Sequence, residues 1–366
     1  MRILNIYNNV PFYRQGIFTL MDREFDCDWI FGEALGDIKQ MELSKLRGKA
    51  KVVKNVSLLG GRAYWQKGVL LQVFNKYTHY IFLGEERCIS TWFFLLLALF
   101  FPKKKVFFWS HGPYGKEGQI KRMIQKVFYN LVDGTFLYGN YARDVMIKRG
   151  FDPKNLHIIH NSLNYDRQLE LRNSGLQSDI YKDHFGNDNH VLLFIGRLTK
   201  VKQLDRIIDA MALLKEKEDK YNLVFVGDGV ERDNLLKKVN DNDLKNNVWF
   251  YGACYDENEN AKLIYNADLC VAPGNVGLTA MHSLVFGTPV ITHNNFAWQM
   301  PEFEAIVSGK TGDYFEYENN ESLAKCISQW FVDENYNREA NRQSCFTQID
   351  ENWTPKFQIN VLNNNL

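Results

Sequence analysis

Apolar positions along residues 190–292 switch repeatedly between two spacings. Short apolar runs appear as HVLLFIG (190–196), NLVFVG (222–227), VWFYG (248–252), DLCVAP (268–273) and PVIT (289–292). Between them the spacing becomes helical: in QLDRIIDAMALL, the residues Leu204, Ile207, Ile208, Met211 and Leu214 share one helix face. Apolar strands alternating with helices predict a parallel sheet covered on both faces. The first half repeats the theme with RILNIY (2–7), HYIFLG (79–84), KVFFWSHG (105–112), GTFLYG (134–139) and LHIIHN (156–161). The fold class expected is α/β, with two Rossmann-like doubly wound domains facing one another across a cleft.

Two helices of the first half carry further expectations. Ile120, Met123, Ile124, Val127, Phe128 and Leu131 form an apolar stripe, with Lys121, Arg122 and Lys126 opposite. The basic side reads as a solvated face or a membrane contact. ISTWFFLLLALFF (89–101) is too short to span a bilayer and stops at Pro102, so it reads as a buried crossover helix. The polar, turn-rich stretch 173–190 reads as a linker. Domains are therefore expected over 1–180 and 190–345, with 346–366 a terminal helix that returns to the first domain.

Composition narrows the function class. The chain has 366 residues, 45% hydrophobic and 14% aromatic, enough for two cores and against disorder. Six cysteines stand scattered without a C-x-x-C pair, which argues against a disulfide framework or a zinc site. Met1 opens straight into a strand-like run, so a cytoplasmic location is expected. Residues 1–180 hold 26 Lys and Arg against 16 Asp and Glu, while the rest hold 18 against 27. A basic half suits an anionic lipid surface or a phosphorylated acceptor; no nucleic-acid motif accompanies it.

Chemistry is sought where strands run into helices, because open parallel sheets bind ligands beyond the carboxyl ends of their strands. In FIGRLTKVKQ (194–203), Arg197 and Lys202 leave a strand close to a helix start; they are a diphosphate clamp or two solvated charges. VGDGVER (226–232) sets Gly227 and Gly229 around Asp228, either approaching a base or ribose or forming a plain turn. It is no dinucleotide fingerprint, since Arg232 stands where the third glycine belongs. In GNVGLTAMHSLVFGTPV (274–290), a glycine-flanked loop opens a helix whose first N–H groups suit a phosphate. His282 lies one and a half turns in, as a structural histidine or a partner for ribose hydroxyls. PFYR (11–14) follows the first strand where an acceptor would enter. Arg14 there is an acceptor-phosphate contact or a surface or helix-start charge.

Taken together, GRLTKVK, GDG, GLTAMHSLVFGTPVI and MPEFEAIVSGKTGDYF resemble the family-4 retaining glycosyltransferases of the GT-B fold, also called glycosyltransferase group 1. Order and spacing match across about 130 residues. WSHG and IIHNSLNYD resemble the family's first domain more loosely. The resemblance implies catalytic roles for Arg197 and Lys202, which would neutralise the leaving diphosphate, and for His111, near the transferred sugar. It places Gly277, Leu278 and Thr279 at the distal phosphate. His282 falls at the family's ribose contact. By their own positions, Gly196, Gly227, Asp228 and Gly252 are further donor-binding candidates, and Tyr13 and Arg14 acceptor-binding ones. Family members retain anomeric configuration and need no metal or other cofactor. The chain departs from the family at two glutamates, whose positions fall at Gly274 and His282. Asn275 or Glu302 would then stand in at the sugar.

Other signals are set aside. DCD (26–28) and DND (241–243) are chance D-x-D matches outside a strand–loop context, and HIIH (157–160) points its histidines to opposite faces of a strand. The expectation is a cytoplasmic transferase, peripheral at the inner membrane face, moving a hexosyl or N-acetylhexosaminyl unit in capsule, O-antigen or lipopolysaccharide synthesis. Its partners would be a nucleotide sugar, UDP-linked, and a lipid-linked or oligosaccharide acceptor. The rivals are a catalytically silent nucleotide-sugar binder and a GT-B nucleotide-sugar epimerase.

Overall fold

A computed structural model describes residues 1–33, 40–332 and 336–366. The chain divides into two units, one of Met1–Tyr165 with Thr354–Leu366 and one of Asp166–Trp353. The first holds β1 (Arg2–Tyr7), β2 (Asp26–Gly32), β3 (Ala50–Val53), a hairpin of β4 (Asn55–Leu58) and β5 (Ala63–Gln66), β6 (His79–Phe82), β7 (Lys105–Ser110), β8 (Gly134–Leu137) and β9 (Leu156–Ile158). Seven of these form a parallel sheet in the order β3-β2-β1-β6-β7-β8-β9. Successive side chains along a strand face opposite ways. Ile3 therefore packs with Phe18, Trp29 and Ile359 on one face, and Leu4 with Phe94, Phe108 and Phe128 on the other.

The second unit holds β10 (His190–Ile195), β11 (Tyr221–Val226), β12 (Val248–Gly252), β13 (Leu269–Ala272), β14 (Val290–His293) and β15 (Gly312–Phe315). They pair in parallel in the order β12-β11-β10-β13-β14-β15. The order reverses between β10 and β13, which opens a crevice at their carboxyl ends. The helix Asp205–Lys215 buries Ile207, Ile208, Met211 and Leu214, the face its spacing predicts. Both units are Rossmann-like.

Three expectations need correction. The stretch read as a linker holds the helix Ile180–Phe185, whose Tyr181 hydroxyl donates to the Leu263 carbonyl. The units part earlier, after Tyr165, because the helix Tyr165–Arg172 is tied by the bidentate pair of Arg172 with Asp350 (3.0 and 2.8 Å). At the far end there are two helices. Arg338–Asn352 lies in the second unit and Pro355–Asn365 in the first, where Gln358 donates to the His160 carbonyl.

Two further corrections concern exposed apolar surface. In the helix Gln119–Tyr129 only Gln125, Phe128 and Tyr129 are buried. Ile120 is 77% exposed, Met123 70% and Val127 56%, so most of the apolar stripe faces solvent beside its cations. The helix Ile89–Ala98 buries Phe94 and Leu95 but leaves Phe93 and Leu96 exposed, with Phe100 beyond it 79% exposed. These helices cover the same face of the sheet, joined where the tilted rings of Trp92 and Phe128 meet at 4.7 Å. No helix among the described residues is long and apolar enough to cross a membrane.

Candidate active site

The loops after β10 and β13 meet at the crevice of the second unit. Gly196 ends β10 and its N–H donates to the Val226 carbonyl; Gly227, ending β11, donates to the Gly252 carbonyl at the end of β12. Leu198 N–H donates to the Asp228 carbonyl, and the exposed Asp228 carboxylate accepts from Gly229 N–H at 2.8 Å. These bonds place Gly196, Gly227, Asp228 and Gly252 side by side at the strand ends.

The loop then carries exposed Arg197 to a short turn, Lys200–Lys202. The Lys202 ammonium donates to both the Asn275 carbonyl (2.7 Å) and its side-chain oxygen (3.0 Å). In return, Gly274 N–H donates to the Lys202 carbonyl at 2.9 Å. Burial pulls the Lys202 pKa down to about 8; Glu302 opposes that shift and Arg197 adds to it. Gly277, with φ +52 and ψ −146, caps the helix Leu278–Val285 in a conformation that favours glycine. A Cβ on Gly277 would lie 4.0 Å from Lys202 Nζ, so the cation sits at the helix N-terminus. Thr279 is buried and spends its hydroxyl on the Ile195 carbonyl at 3.1 Å, while Leu278 is half-buried. A cation beside free first-turn N–H groups attracts an anion.

Two further residues adjoin this helix. His282 is held neutral by burial, its pKa lowered to about 4, and its buried Nδ1 has no hydrogen-bond partner. Glu302 is buried in the turn Pro301–Ala305 and acts electrostatically on Lys202.

The first unit has its own cavity, of about 480 Å³, at the carboxyl ends of β1, β6 and β7. Tyr7, Tyr13, Arg14, Glu85, Glu86, Ser110 and His111 line it. Tyr13 is exposed, but Arg14 is only 6% exposed, against the reading of a surface charge. The His111 pKa is lowered to about 4, by burial first and by Arg14 second. The structure brings His111, expected at the transferred sugar, to the same cavity as Tyr13 and Arg14, expected at the acceptor.

Residues 178–344 match the family model of glycosyl transferases group 1. A GDP-mannose-dependent phosphatidylinositol dimannoside mannosyltransferase of Mycobacterium tuberculosis is 33% identical over 136 residues, covering 36% of this chain and 34% of that protein. The alpha-monoglucosyldiacylglycerol synthase of Streptococcus pneumoniae is 24% identical over 52% of this chain and 42% of its own. The chain thus spans well under half the length of these curated relatives. Among solved structures, Anabaena HepE in complex with UDP superposes with a TM-score of 0.72 at 17% identity, covering 100% of this chain and 99% of that one. The lipopolysaccharide outer core galactosyltransferase WaaB, in its apo form, gives 0.72 at 13% identity over the whole of both chains. The fold is therefore GT-B.

Within the matched residues, the absence of a carboxylate at residue 274 has a steric reason. A Cβ on Gly274 would lie 2.2 Å from the Val201 carbonyl and 2.7 Å from Lys202 Cα. Sequence reasoning also missed Gln299. It is buried, accepts from Val276 N–H (2.9 Å) and donates to Thr292 Oγ1 (2.7 Å) and the His293 carbonyl (3.2 Å), fixing the loop that carries Asn275. No motif marks it; only its position between a strand and Pro301 distinguishes it.

Proposed function

We propose that this chain transfers a sugar, with retention of configuration, from a nucleoside diphosphate sugar to a glycan or lipid-linked acceptor. The observation that carries the reading is the Lys202 ammonium seated on Asn275 at the N-terminus of the Gly277 helix, with Arg197 on the same loop. As the sugar–phosphate bond breaks, negative charge grows on the diphosphate, and preorganised cations and N–H groups lower that barrier most. The protein supplies this charge itself, so no metal is invoked. Gly277, Leu278 and Thr279 would present backbone donors, His282 would meet the ribose, and Asn275 and Glu302 would serve the sugar. His111 is assigned to the transferred sugar by family resemblance alone. UDP is the nucleotide favoured, in line with its presence in the HepE complex.

The acceptor side of the proposal draws on the exposed apolar helices. Residues 89–132 contain seven Lys and Arg and one acid, Glu117, which is buried against Arg149. Apolar side chains flanked by cations suit the surface of an anionic bilayer. A peripheral position at the inner membrane face, in surface polysaccharide synthesis, follows as part of the proposal. Two of the relatives are named for lipid substrates.

Calorimetric titration with UDP, GDP, dTDP and CMP, in EDTA, tests the donor reading. Saturable binding of one diphosphate, weakened about tenfold or more in Arg197→Ala and less in His282→Ala, is expected. No binding of any nucleotide would sink it. A silent binder is the second reading, favoured by the lack of room for a carboxylate at Gly274; sugar transfer from the bound donor separates the two.

A further inference from the structure

Among the described residues Arg14 is a buried cation without a counter-ion. Its guanidinium lies between four rings that are themselves buried, at 5.4 Å from the Tyr7 centroid, 5.7 from Phe18, 5.6 from Trp109 and 5.3 from Tyr138. Such rings stabilise the faces of the cation. They leave its edge, with five N–H donors in all, in need of acceptors. Nη1 is buried and makes no hydrogen bond, and Arg14 forms no ion pair among the described residues. Burying an unmatched guanidinium edge is costly, so the fold holds this arrangement for something outside the chain.

The acids nearby do not serve it. Glu85 accepts from the Tyr64 hydroxyl (2.9 Å) and Asn8 (3.2 Å) and pairs with Arg87 (3.3 Å), while Glu86 pairs with Lys121 (3.2 Å). Around the same guanidinium the Tyr138 hydroxyl, Trp109 Nε1 and His111 Nδ1 are also buried without partners, and the Tyr7 hydroxyl faces Arg14 itself. Arg14, Tyr7 and His111 line the 480 Å³ cavity, a size that suits a small ligand.

We propose that this cavity binds the oxyanion of an acceptor, a phosphoryl or carboxyl group taken by the edge of Arg14 inside its ring of Tyr7, Trp109 and Tyr138. The ligand oxygens meet Arg14 where it lines the cavity, beside Tyr7 and His111. The substrate class is then an anionic acceptor, a sugar or glycerol phosphate or a uronate, and not a neutral glycan. This deepens the transferase reading and rests on it for the word acceptor, but its test requires no transfer.

The test titrates the full-length protein and its Arg14→Gln, Arg14→Lys and Arg197→Ala variants with inorganic phosphate, glycerol 3-phosphate and galacturonate at low ionic strength. UDP is titrated separately. Wild type and Arg197→Ala should both bind an oxyanion saturably. Arg14→Gln should bind it about tenfold or more weakly, and Arg14→Lys, which keeps the charge but not the fork, should fall between them. UDP affinity should not change in either Arg14 variant. Preference for phosphate probes over galacturonate, or the reverse, identifies the source of the oxyanion. Unchanged binding in Arg14→Gln and Arg14→Lys, or none in wild type and Arg197→Ala, would overturn the proposal. Loss of UDP binding in a folded Arg14 variant would also overturn it, by assigning Arg14 to the donor. Should Arg14→Gln not fold, the Arg14→Lys comparison decides. Failure of wild type to bind UDP speaks only against the donor reading.

Discussion

The Lys202 ammonium donates twice to Asn275, at 2.7 Å to its carbonyl and 3.0 Å to its side-chain oxygen. The residue that carries the charge is thus aimed by the loop that opens the helix Leu278–Val285. Because burial lowers its pKa to about 8, the unliganded protein holds Lys202 charged below that pH and neutral above it. A diphosphate favours the charged form and raises the pKa again. UDP affinity should therefore fall as pH rises through about 8, and binding at pH 8.5 should take up a proton that binding at pH 6.5 does not. Calorimetry in buffers of different ionisation heat measures that proton. In Lys202→Met the uptake should vanish and affinity drop about tenfold to a hundredfold, the loss of one or two charge-assisted bonds. A flat affinity from pH 7 to 9.5 would refute the assignment.

Gly274 is held by backbone. With its Cβ position 2.2 Å from the Val201 carbonyl, even alanine forces the Lys202 turn to move. Gly274→Ala should destabilise the protein by about 1–3 kcal/mol, the range of overpacking, and weaken UDP binding with it. Gly274→Glu, which puts the family's carboxylate back, should do worse on both counts. Thermal unfolding with and without UDP reads both effects. A neutral or stabilised Gly274→Ala would mean the two segments do not meet this closely.

Acid should unfold this protein partly through its histidines. Burial lowers His111 and His282 to a pKa of about 4 from an ordinary 6.5. The unfolded chain then binds more protons than the native one between those values, so stability is present above pH 6.5 and is lost as pH falls toward 4. His282→Asn, neutral throughout, should flatten that loss by up to about 3 kcal/mol at the limit, given about 1.4 kcal/mol per pH unit. Urea unfolding at pH 7, 5.5 and 4.5 measures it; parallel curves for wild type and variant would count against a buried neutral His282.

Much of this site is legible in the sequence because backbone geometry fixes it. Buried strands ending in Gly196, Gly227 and Gly252 and a helix opened by Gly277 are local patterns, and in a parallel sheet they meet at one edge. Side-chain partnerships that join distant segments leave no such trace. Gln299 bridges Val276 and Thr292, and Arg14 gathers Tyr7, Trp109 and Tyr138 from three separate strand ends. Strand β2 was missed because it begins DCD; its Asp28 sits buried where Arg2 (2.9 Å), the Tyr77 hydroxyl (2.8 Å) and Lys49 N–H (2.7 Å) all donate to it. The apolar stripe of 120–131 misled in the other direction. Periodicity reports that a helix has two faces, and it does not say which one the fold covers.

That uncovered face gives the remaining prediction. Ile120 and Val127 lie on the same side of the helix Gln119–Tyr129, 77% and 56% exposed, while Phe128 and Tyr129 hold the helix to the sheet. Replacing exposed Ile120 and Val127 by Asp removes no core packing, so the melting temperature should stay within a few degrees of wild type. In water such a stripe has no partner, whereas at an anionic bilayer its apolar side chains enter the interface and Lys121, Arg122 and Lys126 stay at the headgroups. Sedimentation with vesicles containing phosphatidylglycerol should pull down wild type and leave the double variant in solution, and raised salt should weaken the wild-type interaction. Reversing the charge of Lys121 and Arg122 should weaken it too, by about 1 kcal/mol for each charge near the surface. Vesicles of phosphatidylcholine alone should retain less protein, since they offer the apolar contribution without the electrostatic one. Equal sedimentation of wild type and the Asp double variant would show that this stripe is not what meets the membrane, and the acceptor would then have to be sought among soluble glycans.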